Sequence, residues 1–159
     1  MSATGRKGKA DGKKYERKPD DFYETPDWAT RAVIKGALEG LTPARILDPG
    51  CGHGALTREL AIAFPNAEII GIEIDRFRVG VAKHKLAEFP NVSVMLGDFR
   101  NPATLAMLEK LGLDLVVGNP PFEHLLAFAL NALALVKERN GVVSVLSRLN
   151  WIASGQVKE

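Results

Sequence analysis

The residues best suited to chemistry form one short turn that follows an apolar run of strand length. The turn consists of Asn119, Pro120, Pro121 and Phe122. The two prolines donate no backbone hydrogen bond and have fixed φ angles, so no regular element continues through them. The turn can therefore present the carboxamide oxygen of Asn119, the main-chain carbonyl of Pro120 and the flat ring of Phe122. Two acceptors beside a ring suit a planar group with two N–H bonds, such as an exocyclic amine.

An exocyclic amine is a poor nucleophile because its lone pair is delocalised into the ring. If two carbonyl oxygens accept its N–H bonds, the lone pair is directed outward as the nitrogen becomes tetrahedral. Such a site needs no strong base, since positioning and carbonyl dipoles can supply the rate. The chemistry does require an electrophile, so the rest of the chain must bind a group donor beside the turn.

A glycine-rich loop is the first candidate for binding that donor. Gly50, Gly52 and Gly54 follow a short predicted strand ending at Asp48 and open a predicted helix. The backbone can therefore turn tightly and approach a ligand closely. With Ala55, the pattern G-x-G-x-x-A also fits the dinucleotide fingerprint. The loop predicts a nucleotide-like cofactor, and by itself it leaves NAD and S-adenosyl-L-methionine open.

Acidic residues end the next two predicted strands. Glu73 and Asp75 follow the loop by about 20 positions, the spacing at which a ribose-binding carboxylate is expected. Their side chains point to the same side of a strand, so either could accept hydrogen bonds from a ribose diol. Asp98, at the third strand, can accept the exocyclic amine of adenine, while the backbone amide of Phe99 meets a ring nitrogen. The three strand ends together predict an adenine-nucleoside site.

Alternating strands and helices would bring these residues together. Such alternation predicts an α/β fold with a doubly wound, mainly parallel sheet, in which ligands bind at the carboxyl ends of the strands. Right-handed crossovers predict the strand order 3-2-1-4-5. We predict strands at 45–48, 68–74, 92–96, 113–117 and 142–146, and later helices at 76–88, 102–110 and 123–139.

Two helix details carry expectations of their own. Before the first helix, Thr25 is predicted to be the N-cap, with Pro26 at the first helical position. In the last helix, the spacing of the apolar residues predicts a core-facing side. That predicted side consists of Leu126, Leu130, Leu133 and Val136.

Composition is that of a single globular domain of 159 residues, with 46% hydrophobic and 25% charged residues. Residues 1–18 hold seven Lys or Arg and two acidic residues, a net charge of +5. We expect residues 1–19 to be a disordered tail, in which Arg6 to Lys18 could contact nucleic acid phosphates, and residues 20–159 to be the domain.

No membrane segment or secretion signal is predicted, and the single Cys51 suits a cytoplasmic protein. The three histidines suggest no metal site.

The turn and the loop together resemble the amino methyltransferases, whose fourth motif is N-P-P-[YFW]. Tyr23-Glu-Thr-Pro26 resembles the N-terminal motif of the N6-adenine DNA methyltransferases that contacts the methionine end of S-adenosyl-L-methionine. The resemblance implies a Rossmann-like class I methyltransferase fold and methylation of a flipped adenine in DNA. It implies a catalytic role for Asn119 to Phe122. It also implies these cofactor contacts: Tyr23, Thr25, Pro26, Asp48, Gly50, Gly52, Glu73, Asp98, Phe99 and Asn119.

Other interpretations remain open at this point. The same motif serves methylation of RNA bases and of a protein glutamine amide, and a catalytically inactive module that binds cofactor or nucleic acid is a further option. An NAD-dependent dehydrogenase would leave the Asn-Pro-Pro-Phe turn without a role.

The resemblance covers roughly residues 20–150, and the family's last strands and target-recognition region are expected to be missing. The edge of the sheet near the fifth strand would then need a cover, such as a second copy of the chain or a recognition partner. Trp151 lies beyond that strand and is expected to serve packing.

Overall fold

The computed structural model describes residues 24–147. Five parallel strands form one sheet in the order β3-β2-β1-β4-β5, which confirms the predicted α/β fold and strand order. The strands are β1 (Arg45–Pro49), β2 (Glu68–Glu73), β3 (Val92–Leu96), β4 (Leu115–Gly118) and β5 (Val142–Val145). The helices are α1 (Asp27–Ala37), α2 (Ala55–Ala63), α3 (Arg76–Lys85), α4 (Pro102–Glu109) and α5 (Leu125–Val136).

Helices cover both faces of the sheet. On one face, α4 and α5 pack through Leu108, Phe128 and Leu135 onto the side chains that β1 and β2 direct there, such as Leu47 and Ile70. On the other face, α1 and α2 pack on the alternate side chains of the same strands, and α3 packs on β3. The central strands are therefore apolar on both sides, as buried parallel strands must be. No helix within residues 24–147 is long and apolar enough to cross a membrane.

Local sequence sets several helix starts. Asp75 caps α3, because its carboxylate accepts a hydrogen bond from the backbone N–H of Arg78 at 2.9 Å. Asn101 caps α4 in the same way, accepting from the N–H of Ala103 at 2.8 Å, with Pro102 in the first turn. The predicted N-cap at Thr25 is wrong, since α1 begins at Asp27 with Pro26 as the capping residue and no side-chain cap. The hydroxyl of Thr25 is engaged elsewhere.

The predicted core-facing side of the last helix is also wrong. Leu126, Leu130 and Leu133 are 44%, 58% and 54% exposed, and of the predicted side Val136 alone is buried. The helix itself is shorter than predicted, because 3-10 turns replace its two ends at Phe122–His124 and Lys137–Arg139. The buried side of α5 consists of Leu125, Phe128, Ala132, Leu135 and Val136. Smaller differences are that α3 ends at Lys85 and that β4 begins at Leu115.

Candidate active site

The carboxyl ends of β1, β2, β3 and β4 surround a cleft of about 320 Å³. This is the edge at which open α/β sheets bind ligands, and the volume is that of a small-molecule site. The chain segment before α1 closes one side of the cleft with Glu24 and Thr25. Of the predicted site residues within the described part of the chain, all line this cleft except Pro26, Gly54 and Asp75.

The glycine loop is anchored to the neighbouring strand. The backbone N–H groups of Gly50 and Cys51 donate to the carbonyl of Ile72 at 2.7 and 2.9 Å. Gly50, Gly52 and Gly54 have φ angles of +74°, +57° and +87°, which residues with a Cβ rarely adopt. The loop can therefore pass close to a ligand, and its path depends on glycine.

Glu73 is buried in the wall of the cleft and is held by two backbone donors. One carboxylate oxygen accepts from the N–H of Gly52 and the other from the N–H of Asp75, both at 2.9 Å. The Arg78 guanidinium lies 3.6 Å from it. Asp75 itself does not line the cleft, and the hydrogen bond from the Arg78 backbone lowers the pKa of its capping carboxyl. Of the two carboxylates predicted to serve a ribose, Glu73 is the one in position.

Asp48 is a second buried carboxyl in the same cleft. Its Oδ2 accepts a hydrogen bond from the Thr57 hydroxyl at 2.6 Å. Burial raises the pKa of Asp48 to about 7, and the neighbouring negative charge of Glu73 contributes in the same direction. A positively charged ligand in the cleft would offset this unfavourable charge density.

The carboxylate of Asp98 forms a salt bridge with Arg100, a residue that the sequence analysis did not identify. Its two oxygens accept from the Nε and Nη2 of Arg100, each at 3.0 Å. This hydrogen-bonded pair lowers the pKa of the Asp98 carboxyl. The remaining Nη1 of Arg100 lies 2.9 Å from Nε2 of His124, so the ends of β3 and β4 are linked across the cleft. The ring of Phe99 is buried against Phe128, with 5.1 Å between centroids.

The turn after β4 contributes the predicted acceptor groups. The carbonyl of Pro121 accepts from the N–H of His124 at 2.9 Å, whereas no donor among residues 24–147 binds the carbonyl of Pro120. The Nδ2 of Asn119 donates to the hydroxyl oxygen of Thr25 at 3.1 Å. The side chain of Phe122 also faces the cleft. One carbonyl and one carboxamide thus remain in the cleft that the carboxylates of β1 and β2 also line.

The chain matches a protein-family model and several known proteins. A family model described as a methyltransferase domain matches residues 43–150. The chain belongs to this methyltransferase family. S-adenosyl-L-methionine is the cofactor of the methyltransferase domain. The cleft fits such a cofactor, because it combines a close-approach glycine loop, a fixed carboxylate at Glu73 and a buried carboxyl at Asp48 that favours a cation.

Individual relatives of the methyltransferase domain act on different substrates. The tRNA1(Val) (adenine(37)-N6)-methyltransferase of Porphyromonas gingivalis is 34% identical over 101 residues, 58% of this chain and 40% of that protein. The modification methylase CviBIII of Paramecium bursaria Chlorella virus NC1A is 38% identical over 78 residues, 48% of this chain and 19% of that protein. The chain thus spans less than half of the curated relatives it matches.

Solved structures show the same fold. TrmN from Thermus thermophilus aligns with a TM-score of 0.57 and 23% identity, over 71% of this chain and 36% of that one. The N-terminal domain of EvdMO1, solved with SAH bound, aligns with a TM-score of 0.57 and 24% identity, over 70% of this chain and 46% of that one.

The methyltransferase domain holds several cleft residues that sequence reasoning missed. Ile74 directly follows Glu73, and Arg100 lies two positions after Asp98, so proximity to a strand end could have suggested both. Phe128 reaches the cleft from α5 and carried no such signal. Tyr23, Trp151 and the basic tail lie outside the described residues. Within residues 24–147, no group of three or more His, Cys, Asp or Glu could hold a metal ion.

Proposed function

We propose that the chain transfers a methyl group from S-adenosyl-L-methionine to the exocyclic N6 amine of adenine in DNA. The observation that carries this proposal is the Asn119 carboxamide beside the carbonyl of Pro120, in the cleft that Glu73 and Asp48 also line. Two acceptors there would take the two N–H bonds of one amine. When bound, the cofactor supplies an electrophilic methyl group.

On the donor side of the cleft, Glu73 is proposed to bind the ribose and Asp98 the adenine amine of the cofactor. Asp48 and the loop residues Gly50 and Gly52 would lie along the methionine part. The two buried carboxyls at β1 and β2 make this end of the cleft negative, which favours a cationic ligand over a neutral one. Tyr23 and Pro26 complete the proposed contacts through the motif they resemble.

On the acceptor side, Asn119 and Pro120 would orient the amine so that its lone pair faces the methyl group. The target base would stack on Phe122 after leaving its own stack. The new C–N bond would form as the methyl group leaves the sulfonium sulfur, which would keep the electron pair of the broken S–C bond. The nitrogen would become cationic and then lose one proton to water. Carbonyl dipoles already directed at the N–H bonds stabilise that positive charge without reorganising.

The choice of DNA rests on the Tyr23-Glu-Thr-Pro26 motif, and adenine in RNA is the second candidate. That candidate is favoured by the 34% identity to a tRNA adenine methyltransferase. In either case the net charge of +5 in residues 1–18 would attract phosphates. Incubation with labelled donor and equal amounts of DNA and RNA, followed by nucleoside analysis, distinguishes the two. Label on neither nucleic acid would contradict the proposal.

Asn119→Ala is the decisive variant. We expect the transfer rate to fall roughly 10²–10³-fold, the loss typical of one oriented polar group at a reacting centre. Binding of S-adenosyl-L-methionine, measured by calorimetry, should weaken far less. The matched control is Asn91→Ala, because the Asn91 amide donates to the carbonyl of Ala67 away from the cleft, at 2.9 Å. Equal rate losses in both variants would mean that Asn119 acts through folding and not through the amine.

A further inference from the structure

One hydrogen bond joins the first described residues to the proposed acceptor site. The Nδ2 of Asn119 donates to the Oγ1 of Thr25 at 3.1 Å, across 94 positions of sequence. Both residues line the cleft, and Thr25 is only 7% exposed. The contact therefore lies at the wall of the site, partly shielded from water.

The position of the Thr25 hydroxyl is set by buried structure around it. The next residue, Pro26, has its carbonyl bound by the N–H of Ala29 at 2.9 Å in the first turn of α1. That helix is fixed in turn because Val33, Ile34 and Leu38 pack into the core. Thr25 is thus held at the end of a packed helix, and its hydroxyl does not cap that helix.

The hydrogen bond fixes the plane of the Asn119 carboxamide at the cleft wall, and in the structure it is Nδ2 that bonds to Thr25. The oxygen and nitrogen of an asparagine amide have nearly the same size, so packing alone does not choose between the two orientations. Because the group is planar, an Nδ2 directed at Thr25 turns Oδ1 to the other side. The reverse orientation would present N–H donors to the N–H bonds of the amine.

We propose that Thr25 is a positioning residue for the acceptor amine. Its hydroxyl fixes the plane of the Asn119 carboxamide at the cleft wall, with Oδ1 on the side away from Thr25. This inference rests on the proposed function and deepens it. It adds a role to the contact with the cofactor that the Tyr-Glu-Thr-Pro motif implies for this segment.

Substitution of the hydroxyl tests the proposal in the full chain. In Thr25→Val, which keeps the shape, we expect kcat to fall roughly tenfold, the rate equivalent of one neutral hydrogen bond. The dissociation constant of S-adenosyl-L-methionine should change less than twofold. Thr25→Ser restores the hydroxyl and should recover most of the loss.

A second threonine supplies the matched control. Thr30, on α1, is 1% exposed, and its Oγ1 has no hydrogen-bond partner among the described residues. Thr30→Val removes a buried hydroxyl from the same helix without touching the cleft, so kcat should stay at the wild-type value. If Thr30→Val lowers kcat as much as Thr25→Val, the effect comes from α1 and the proposal is overturned.

The Asn119 side-chain amide gives a readout that does not depend on transfer. In nitrogen-labelled protein, Thr25→Val should shift the two Asn119 amide proton resonances and speed their exchange with water, and Thr30→Val should not. Unchanged resonances, or a cofactor affinity lost with kcat intact, would overturn the proposal. A wild-type protein that methylates no adenine would instead contradict the proposed function, while the resonances still test the contact.

Discussion

The two sides of the cleft are built differently. On the donor side, the buried strands β1 and β2 carry groups that are each held by two hydrogen bonds. Glu73 has two backbone donors, Asp48 has the hydroxyl and the backbone N–H of Thr57, and two N–H groups of the glycine loop bond to the carbonyl of Ile72. On the acceptor side, the Asn119 amide has the single hydroxyl of Thr25. Its strand β4 is buried, but no residue of the neighbouring edge strand β5 is.

This difference indicates a division of labour. A site for one invariant cofactor binds it more tightly when its groups are already fixed in the free protein, because the entropy of ordering them is then lost during folding and not on binding. The acceptor side keeps apolar surface exposed, with three leucines of α5 at about half exposure. We therefore expect the stability of the fold to depend mainly on the buried strands that carry the cofactor site and little on the exposed side of α5, and the predictions below test that expectation.

The largest expected effect is on a buried leucine of the donor side. Leu47 on β1 is fully buried in the core with Ile70 and Val116. Leu47→Ala should lower the free energy of unfolding by about 2–5 kcal/mol, because it removes buried methyl groups and leaves a cavity. Leu130→Ala on α5, where the side chain is 58% exposed, should cost about 0.5 kcal/mol or less. Urea denaturation of both variants measures the two values, and similar losses would break the comparison.

The exposed leucines also show where sequence reasoning fails. In α5, apolar residues occupy every position except Asn131, so the helical spacing does not mark which side is buried. The choice is made by tertiary contacts: Asn131 donates to the carbonyl of Phe99 at 3.1 Å, and the 3-10 turn at Phe122–His124 sets where the helix begins. Neither contact is visible in a pattern of apolar residues.

Strand order and the cleft, in contrast, follow from local signals. The first four strands are apolar runs that end at or directly before glycine, proline or acidic residues, and parallel topology then brings those ends to one edge. Thr25 shows the limit of this reasoning. A threonine before a proline is typical of a helix start, but the hydroxyl bonds to Asn119, a partner that only the folded chain brings near.

A smaller effect, dependent on pH, is expected at Asp48. Its pKa of about 7 in the folded protein lies above the ordinary value of 3.8, so the folded state binds the proton more tightly than the unfolded state. The contribution of Asp48 to stability therefore falls as pH rises from about 4 to about 7.

Asp48→Asn removes this loss, because the amide is neutral and its oxygen can still accept from Thr57. Relative to the wild type, the free energy of unfolding of the variant should rise by on the order of 2 kcal/mol between pH 5 and pH 8. Chemical denaturation at the two pH values measures the change. A difference between the two proteins that does not vary with pH would mean that the donor side is not electrostatically strained.

The smallest effects are expected at two helix caps, a charged one after β2 and a neutral one after β3. Asn101→Ala, at the start of α4, should lower the free energy of unfolding by about 1 kcal/mol at any pH, because an uncharged cap is lost.

Asp75→Ala, at the start of α3, should also destabilise the protein at neutral pH. The pKa of Asp75 is lowered, chiefly by the backbone hydrogen bond from Arg78, so this contribution is present above pH 4 and disappears as acid protonates the carboxyl. Thermal unfolding at pH 7 and pH 2 separates the caps, since the cost of Asp75→Ala should shrink in acid while that of Asn101→Ala persists. If both costs are unchanged in acid, the charge of Asp75 does not stabilise the fold, and its cap is equivalent to the neutral cap after β3.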